Sequence, residues 1–193
     1  MLRFISISGM PSSCLPKDMI SIARFEASRN GKAIYISSKE DSTCPICGGS
    51  LKVHGTCTRK VRHGDHTHQY HLRVLKCCCC GKTHRELPAG IVPYKRYGLD
   101  SLCEIAEADE DQHTCETSTW LRIRFWLAWF LWYAQNIMDG LIAAGHLPAA
   151  FHPGRSLRQR TASFVRLVAN SGNWVQHRSA MTRGIRLDIL VSL

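Results

Sequence analysis

Acidic side chains are the scarce class in this sequence. Fifteen Asp and Glu stand against twenty-five Lys and Arg, a formal net charge of +10 with an isoelectric point near 9.3. A chain so basic favours a polyanionic partner over an acidic surface of its own. Long apolar runs are also missing. The most hydrophobic stretch, FWLAWFLWYA at residues 125–134, lies within the fourteen residues between Arg124 and Asp139, which also include Gln135 and Asn136. A bilayer span needs about 20 apolar residues, so a transmembrane helix and a membrane partner are excluded. The opening MLRFISISGMPSS holds one basic residue and no apolar run long enough for a signal peptide, so a reducing cytoplasm is the expected compartment. There is no P-loop, nucleophile elbow or dinucleotide fingerprint, and no repeat or low-complexity segment. A non-enzyme without a small-molecule substrate is therefore expected.

What the chain does have is cysteine, ten in all. Cys44 and Cys47 form one C-x-x-C pair in CPICGG, and Cys77 and Cys80 form a second in CCCCGKTH. Gly48 and Gly81 follow the pairs at once, where a tight turn needs a backbone of positive φ. Two such knuckles supply four thiolates, the tetrahedral sulfur set that Zn²⁺ prefers. Disulfides suit short secreted chains, whereas paired cysteines in a reducing compartment point to a metal. One structural zinc on Cys44, Cys47, Cys77 and Cys80 is the expectation. Because residues 77–80 are contiguous cysteines, Cys78, Cys79, Cys57 and His84 stay open as substitutes.

The 29 residues between the knuckles alternate. Leu51, Val53, Cys57 and Val61 interleave with Lys52, His54, Thr58 and Lys60, and Tyr70, Leu72 and Val74 with His71 and Arg73. Such period-two patterning on both sides of His63-Gly64-Asp65 predicts a β-hairpin, and two knuckles on a hairpin make a zinc ribbon. So small a unit would need the metal for folding energy. Lys52, Arg59, Lys60, Arg62 and Arg73 are expected on its outward face. Residues 52–97 carry a net +8, residues 100–116 seven acids and no base, and residues 146–193 a net +6. Basic blocks of this kind suit a phosphate backbone. His63, His66, His68 and His71 crowd the hairpin tip without tight ligand spacing, and read as polar surface.

The remainder reads as mostly helical. Residues 19–27 suggest a short helix and residues 32–37 a strand. PAGIVPYKRY at residues 88–97 is a connector. Leu102, Ile105 and Ala106 share a helical face within residues 99–108. Thr117 or Ser118 would cap a second helix through residues 125–134, which is apolar all round and so either buried or paired with another chain. Residues 138–145 either continue it or begin another. Short helix, turn and longer helix outline a helix-turn-helix, in which Thr119, Arg122 and Arg124 would reach bases or phosphates; an ordinary helical hairpin fits the pattern equally. Ser156 is expected to cap a helix running to Asn170. The fold class is thus α+β, a small zinc β-ribbon followed by a helix-turn-helix-like region. Its segments are 1–40, of unclear structure, 41–97 (ribbon), 98–145 (helical) and 146–193 (basic, helical).

CPICGGSLKVHGTCTRKVRHG and RVLKCCCCGKTHRELPAGIVPYKRY resemble the N-terminal zinc domain of certain bacterial insertion-sequence transposases. They are more similar still to a stand-alone family of unknown function carried by mobile elements of Firmicutes. The resemblance covers residues 44 to about 137, with CETSTWLRIRFWLAWF like the family's second helix and Cys44, Cys47, Cys77 and Cys80 in the ligand positions. It implies duplex-DNA binding linked to transposition. It does not imply catalysis, because a transposase catalytic domain needs three carboxylates and only Asp139 and Asp188 follow residue 137. Two further readings remain: an RNA-associated zinc ribbon, and an interaction module in which residues 125–134 grip a transposase or a second copy of the chain as a homodimer.

Overall fold

Alternation on either side of Gly64 does fold into a hairpin, and the hairpin is the middle of a larger sheet. In the computed structural model, which describes residues 19–172 and Trp174, six strands and three helices follow one another. They are β1 (Met19–Ile22), β2 (Phe25–Asn30), β3 (Ala33–Ser38), β4 (Leu51–His63), β5 (His66–Cys77), β6 (Thr83–Pro88), α1 (Leu99–Glu107), α2 (Thr117–Ala143) and α3 (Leu157–Asn170). Cys14, Asp188 and most of the basic tail lie outside the described residues.

β5 is the spine. On one edge it pairs antiparallel with β4 from Leu51↔Cys77 to His63↔His66, with one irregularity between Val53 and Gly55. The two-residue loop Gly64-Asp65 closes this hairpin, with Gly64 at φ 57, a conformation costly for other residues. The other edge of β5 is shared end to end. β3 pairs parallel with it at residues 69–71, and β6 antiparallel at residues 74–76. β2 extends the sheet antiparallel from β3, and β1 parallel from β6. The helix expected at residues 19–27 is therefore not formed. Met19, Ile20, Ser21 and Ile22 are all buried, and a strand buried on both faces reads as a continuous apolar run, not as an alternating one.

Register sorts the side chains of β2–β5 onto two faces. Ile34, Tyr70 and Arg59 are partners in one row and Leu72 and Cys57 in another, and Ile36 and Val61 share their parity. This inner face meets residues 91–98 and α1: Val61 and Leu72 are buried, and Arg59 Nη2 donates to the carbonyls of Val92 and Lys95. Core residues from Met19 to Trp174 form one continuous apolar cluster, so the ribbon packs into a sheet and helices rather than standing alone.

The helices close over the core. α1 buries Leu99, Leu102, Cys103 and Ile105. α2 runs 27 residues unbroken. Its N-cap position is Glu116, not Thr117 or Ser118, and no side-chain cap is made there. α3 carries a full capping box: the Gln159 N–H donates to Ser156 Oγ, and Gln159 Oε1 accepts from the Ser156 N–H. Asn170 at its end holds β1, accepting from the Ser21 N–H at 2.8 Å and donating to the Ser21 carbonyl at 3.0 Å. Glu40 ties the same region together. Burial alone would raise its carboxyl, but hydrogen bonds from Arg166 and from the N–H groups of Arg24 and Ala23 bring it below its ordinary value.

α2 is not buried all round. Trp120, Ile123, Trp126, Leu127, Phe130, Ala134 and Met138 face the core, while Leu121 is 54% and Trp132 38% exposed. α1 and α3 pack on only one side of this helix, so the apolar positions on its far side stay at the surface. No described helix is long and apolar enough to cross a membrane. Phe130, 2% exposed and stacked on Trp126 at 5.2 Å, is expected to cost about 3–5 kcal/mol when cut to alanine. Urea unfolding of Phe130→Ala beside Trp132→Ala checks this; equal losses would mean that Trp132 is as deeply packed as Phe130.

Candidate metal centre and basic surface

The two knuckles are copies of one turn. In the first, the Cys44 N–H donates to the Gly49 carbonyl at 2.9 Å and the Gly48 N–H returns to the Cys44 carbonyl at 2.8 Å. In the second, the Cys77 N–H donates to the Lys82 carbonyl at 2.8 Å and the Gly81 N–H to the Cys77 carbonyl at 3.2 Å. Gly48 and Gly81 take φ 71 and 69, the left-handed backbone that lets each turn reverse without a Cβ clash. The hairpin brings the turns together, because Leu51 at the start of β4 lies opposite Cys77 at the end of β5. A further bond, Cys78 N–H to the Ser50 carbonyl at 2.9 Å, locks one turn to the other.

The four sulfurs that result are Cys44, Cys47, Cys77 and Cys80, all within 4.8 Å of one another and able to hold a metal ion. Cys44 Sγ lies 3.6 Å from Cys80 Sγ, and Cys47 Sγ 3.5 Å from Cys77 Sγ. A tetrahedral ion with bonds of about 2.3 Å to sulfur needs sulfur–sulfur edges of about 3.8 Å, so the cage has the right size. Cys78 and Cys79 are exposed and outside it, and Cys57 lies on β4. His84 is completely buried beside the site, its Nε2 3.3 Å from Cys44 Sγ. It stands where an outer partner of a metal-bound thiolate would stand.

The knuckle amides prepare the sulfurs unequally. The N–H groups of Cys80 and Cys79 point at Cys77 Sγ from 3.5 and 3.4 Å and pull its thiol down to about 6. At Cys47 the Gly49 N–H favours the thiolate, but the crowding sulfurs of Cys77 and Cys80 outweigh it and push the thiol up to about 12. Four thiolates cannot share this space without a cation to offset their repulsion.

Basic residues divide into those at the surface and those turned inward. Lys52, Lys60 and Arg62 are exposed. Lys52 lies directly across from exposed Lys76, a like-charge pair that costs stability unless an anion sits over it. Arg59 does not face outward as expected; it is turned to the inner face, and burial lowers its guanidinium. Arg73 is on the outer face but holds Glu86, 2% exposed, by two bonds of 2.6 and 3.0 Å. Lys95 also turns in, its ammonium 3.9 Å from the centre of the Trp126 ring. Alternation identified the strands but not which face the segment at residues 91–98 would cover.

The helix-turn-helix outline is not reproduced. Nine residues, 108–116, separate α1 from α2, whereas that motif joins its helices by three or four. Trp120 pins this loop by donating from Nε1 to the Ala108 carbonyl at 3.1 Å. Thr119 and Arg122 bond to each other at 3.1 Å, Arg122 also returns to the Ser118 carbonyl, and Arg124 lies over the Trp120 ring. The four histidines do not converge on a metal site either. His63 bonds the Tyr70 hydroxyl at 3.0 Å, while His71 stacks on Tyr35 on the opposite face. Among the described residues the cysteine set is the group that could hold a metal ion.

Gly49 shows how little space the cage leaves. A Cβ there would stand 2.7 Å from Cys79 Sγ and 3.1 Å from Cys77 Sγ. Gly49→Ala should therefore displace a ligand and weaken metal binding by about 10- to 100-fold, as disturbance around a first shell does. Competition with a chromophoric chelator reads this directly, and unchanged affinity would show that the knuckle gives way freely.

Comparison with known proteins adds one result. No curated protein and no solved structure matches the chain. A family described as Domain of unknown function (DUF6431) matches residues 44–124, from the first cysteine of the cage through the hairpin, β6 and α1 into α2. The segment that supplies β1, β2 and β3 lies outside the match. Over residues 44–124 the chain is thus similar to a family of unknown function.

Proposed function

We propose that the protein is a zinc-dependent, non-catalytic DNA-binding protein of a mobile element, with one structural Zn²⁺ on Cys44, Cys47, Cys77 and Cys80. Four sulfurs at tetrahedral spacing, with no nitrogen or oxygen donor in the set, suit zinc. The ion would neutralise the thiolates and hold the two knuckles in register; it needs no open coordination position, as a catalytic zinc would. Elemental analysis should find one zinc per chain. Cys44→Ser and Cys80→Ser should lose it and lower the melting temperature, while Cys78→Ser and Cys79→Ser retain it. Soluble, folded wild-type protein without metal would sink the assignment.

The DNA reading is carried by one observation: exposed Lys52 and Lys76 stand directly opposite each other within a block of net charge +8. A polyanion offsets that repulsion and releases counterions as it binds. Lys60, opposite Gln69, and Arg62, opposite Thr67, carry further exposed charge toward the hairpin tip, on the other face of the strand. Arg122 and Arg124 at the head of α2 are a second basic patch, and a base contact from Arg122 requires it to leave its bonds to Ser118 and Thr119. The association with transposition rests on the sequence resemblance alone. A partner protein is the second reading, favoured by exposed Leu121 and Trp132 on α2; it would be a transposase or another copy of the chain.

Titration of duplex DNA at several salt concentrations separates these readings. Each lost phosphate contact should lower the salt slope by about 1, so Lys52→Ala and Lys60→Ala should weaken every duplex alike and flatten that slope. Arg122→Ala should instead narrow the gap between a selected site and a scrambled one. Arg73→Ala is a poor binding probe, because it strands buried Glu86. Duplex affinity no greater than that for single-stranded RNA at low salt would defeat the reading.

A further inference from the structure

We propose that the outer face of the β2–β3–β5–β4 sheet binds single-stranded DNA, with Tyr35 and His71 as the platform on which an unpaired base stacks. The proposal rests on the DNA reading above and assigns that partner a second surface and a different strand form.

The register places two rows across this face. Ser28, Tyr35, His71 and Thr58 are successive partners in the first, and Asn30, Ala33, Gln69 and Lys60 in the second. Arg62, opposite Thr67, continues the same parity toward the hairpin tip. Among the described residues no helix packs on these positions: α1 meets β4 from the inner side and α3 meets β1. Tyr35 stacks on His71 with ring centres 4.5 Å apart and planes 17° from parallel, yet keeps 44% of its surface exposed. A stacked aromatic pair at the surface of a sheet is not needed by the core, which lies on the other face.

Its neighbours leave room for a flat ligand. Ser28 opposite Tyr35, and Ala33 and Ser37 two residues away on β3, are all small. Gln69 Nε2 lies 3.4 Å from His71 Nε2 and offers amide donors and an acceptor beside the rings. Within these rows the cations are Lys60 and, one step on, Arg62, both on β4, while Arg73 and Lys39 near the face are engaged by Glu86 and Glu26. Carboxylates near the face are already engaged: Glu86 by Arg73, Asp65 by Arg62 and Glu26 by Lys39. Uncharged aromatic centre and cationic margin match a single strand, whose bases are open to stacking while its phosphates run alongside. A duplex keeps its bases stacked on one another and cannot use the platform, so the flat face discriminates strand form without reading sequence.

Fluorescence anisotropy on the full zinc-loaded chain tests this, with labelled oligothymidine, oligouridine and a mixed-sequence duplex of the same length. Tyr35→Ala should weaken oligothymidine binding by about 5- to 150-fold, the range that one stacked base contributes, and leave the duplex titration unchanged. Tyr35→Phe should restore the single-strand affinity, since the ring and not the hydroxyl stacks. Lys60→Ala should weaken both ligands. Zinc content and urea midpoint of each variant report folding. Unchanged oligothymidine affinity in Tyr35→Ala, or equal losses on single strand and duplex, would overturn the platform; tighter binding of oligouridine than of oligothymidine would overturn the choice of DNA. Loss of duplex binding alone in the wild type, with Tyr35-dependent single-strand binding intact, would end the duplex reading and leave the platform standing.

Discussion

Antiparallel pairing of β4 with β5 is the constraint on which the rest depends. It closes 29 residues so that their ends meet, and the two ends are the two cysteine knuckles. It also exposes the second edge of β5, on which β3 and β6 align end to end. Without β5 neither the metal cage nor the sheet has a scaffold. The entropy of closing a loop grows only slowly with its length, so a long hairpin is a tolerable way to bring distant ligands together, provided that its ladder is complete.

The metal cage and the apolar core then divide the work. The core runs from β1 to Trp174 and holds the helices to the inner face. The knuckles lie at the other end of the hairpin, where few apolar side chains are available, and depend on backbone turns and sulfur. They meet where α3 ends: the Pro45 carbonyl sits so close to Gly172 that a Cβ there would lie 2.7 Å away. The first knuckle thus touches the end of α3, whose Asn170 and Arg166 hold β1 and Glu40.

Charge is arranged by the same two faces. Arg59 reaches inward to two carbonyls and Arg73, on the outer face, holds a buried carboxylate, so both add to stability rather than to the surface field. Lys52, Lys60 and Lys76 stay outside, where a compact hydrated charge belongs, while Lys95 turns in over Trp126. The resulting surface is basic at the hairpin and carries the stacked Tyr35–His71 pair on the bare sheet. The long apolar helix α2 presents its remaining hydrophobic positions elsewhere, at Leu121 and Trp132.

The sequence by itself determined the parts whose signals are local. Cysteine spacing with a trailing glycine announced both knuckles, and chose Cys77 and Cys80 over Cys78 and Cys79 because the turn geometry is set within six residues. Alternation around Gly64 announced the hairpin, and Ser156 announced the start of α3. Tertiary structure decided the rest. Met19–Ile22 is a strand because β6 pairs along its edge and α3 packs against it, a circumstance that no window of four residues carries. Arg59 and Arg73 turned to structural partners because Val92, Lys95 and Glu86 were brought to them from outside their own strands. The nine-residue link between α1 and α2 held no helix-turn-helix geometry, since Trp120 anchors it to Ala108. Tyr35 and His71, 36 residues apart in the chain, became a stacked pair only through the parallel pairing of β3 with β5, a long-range register that period-two patterning cannot encode.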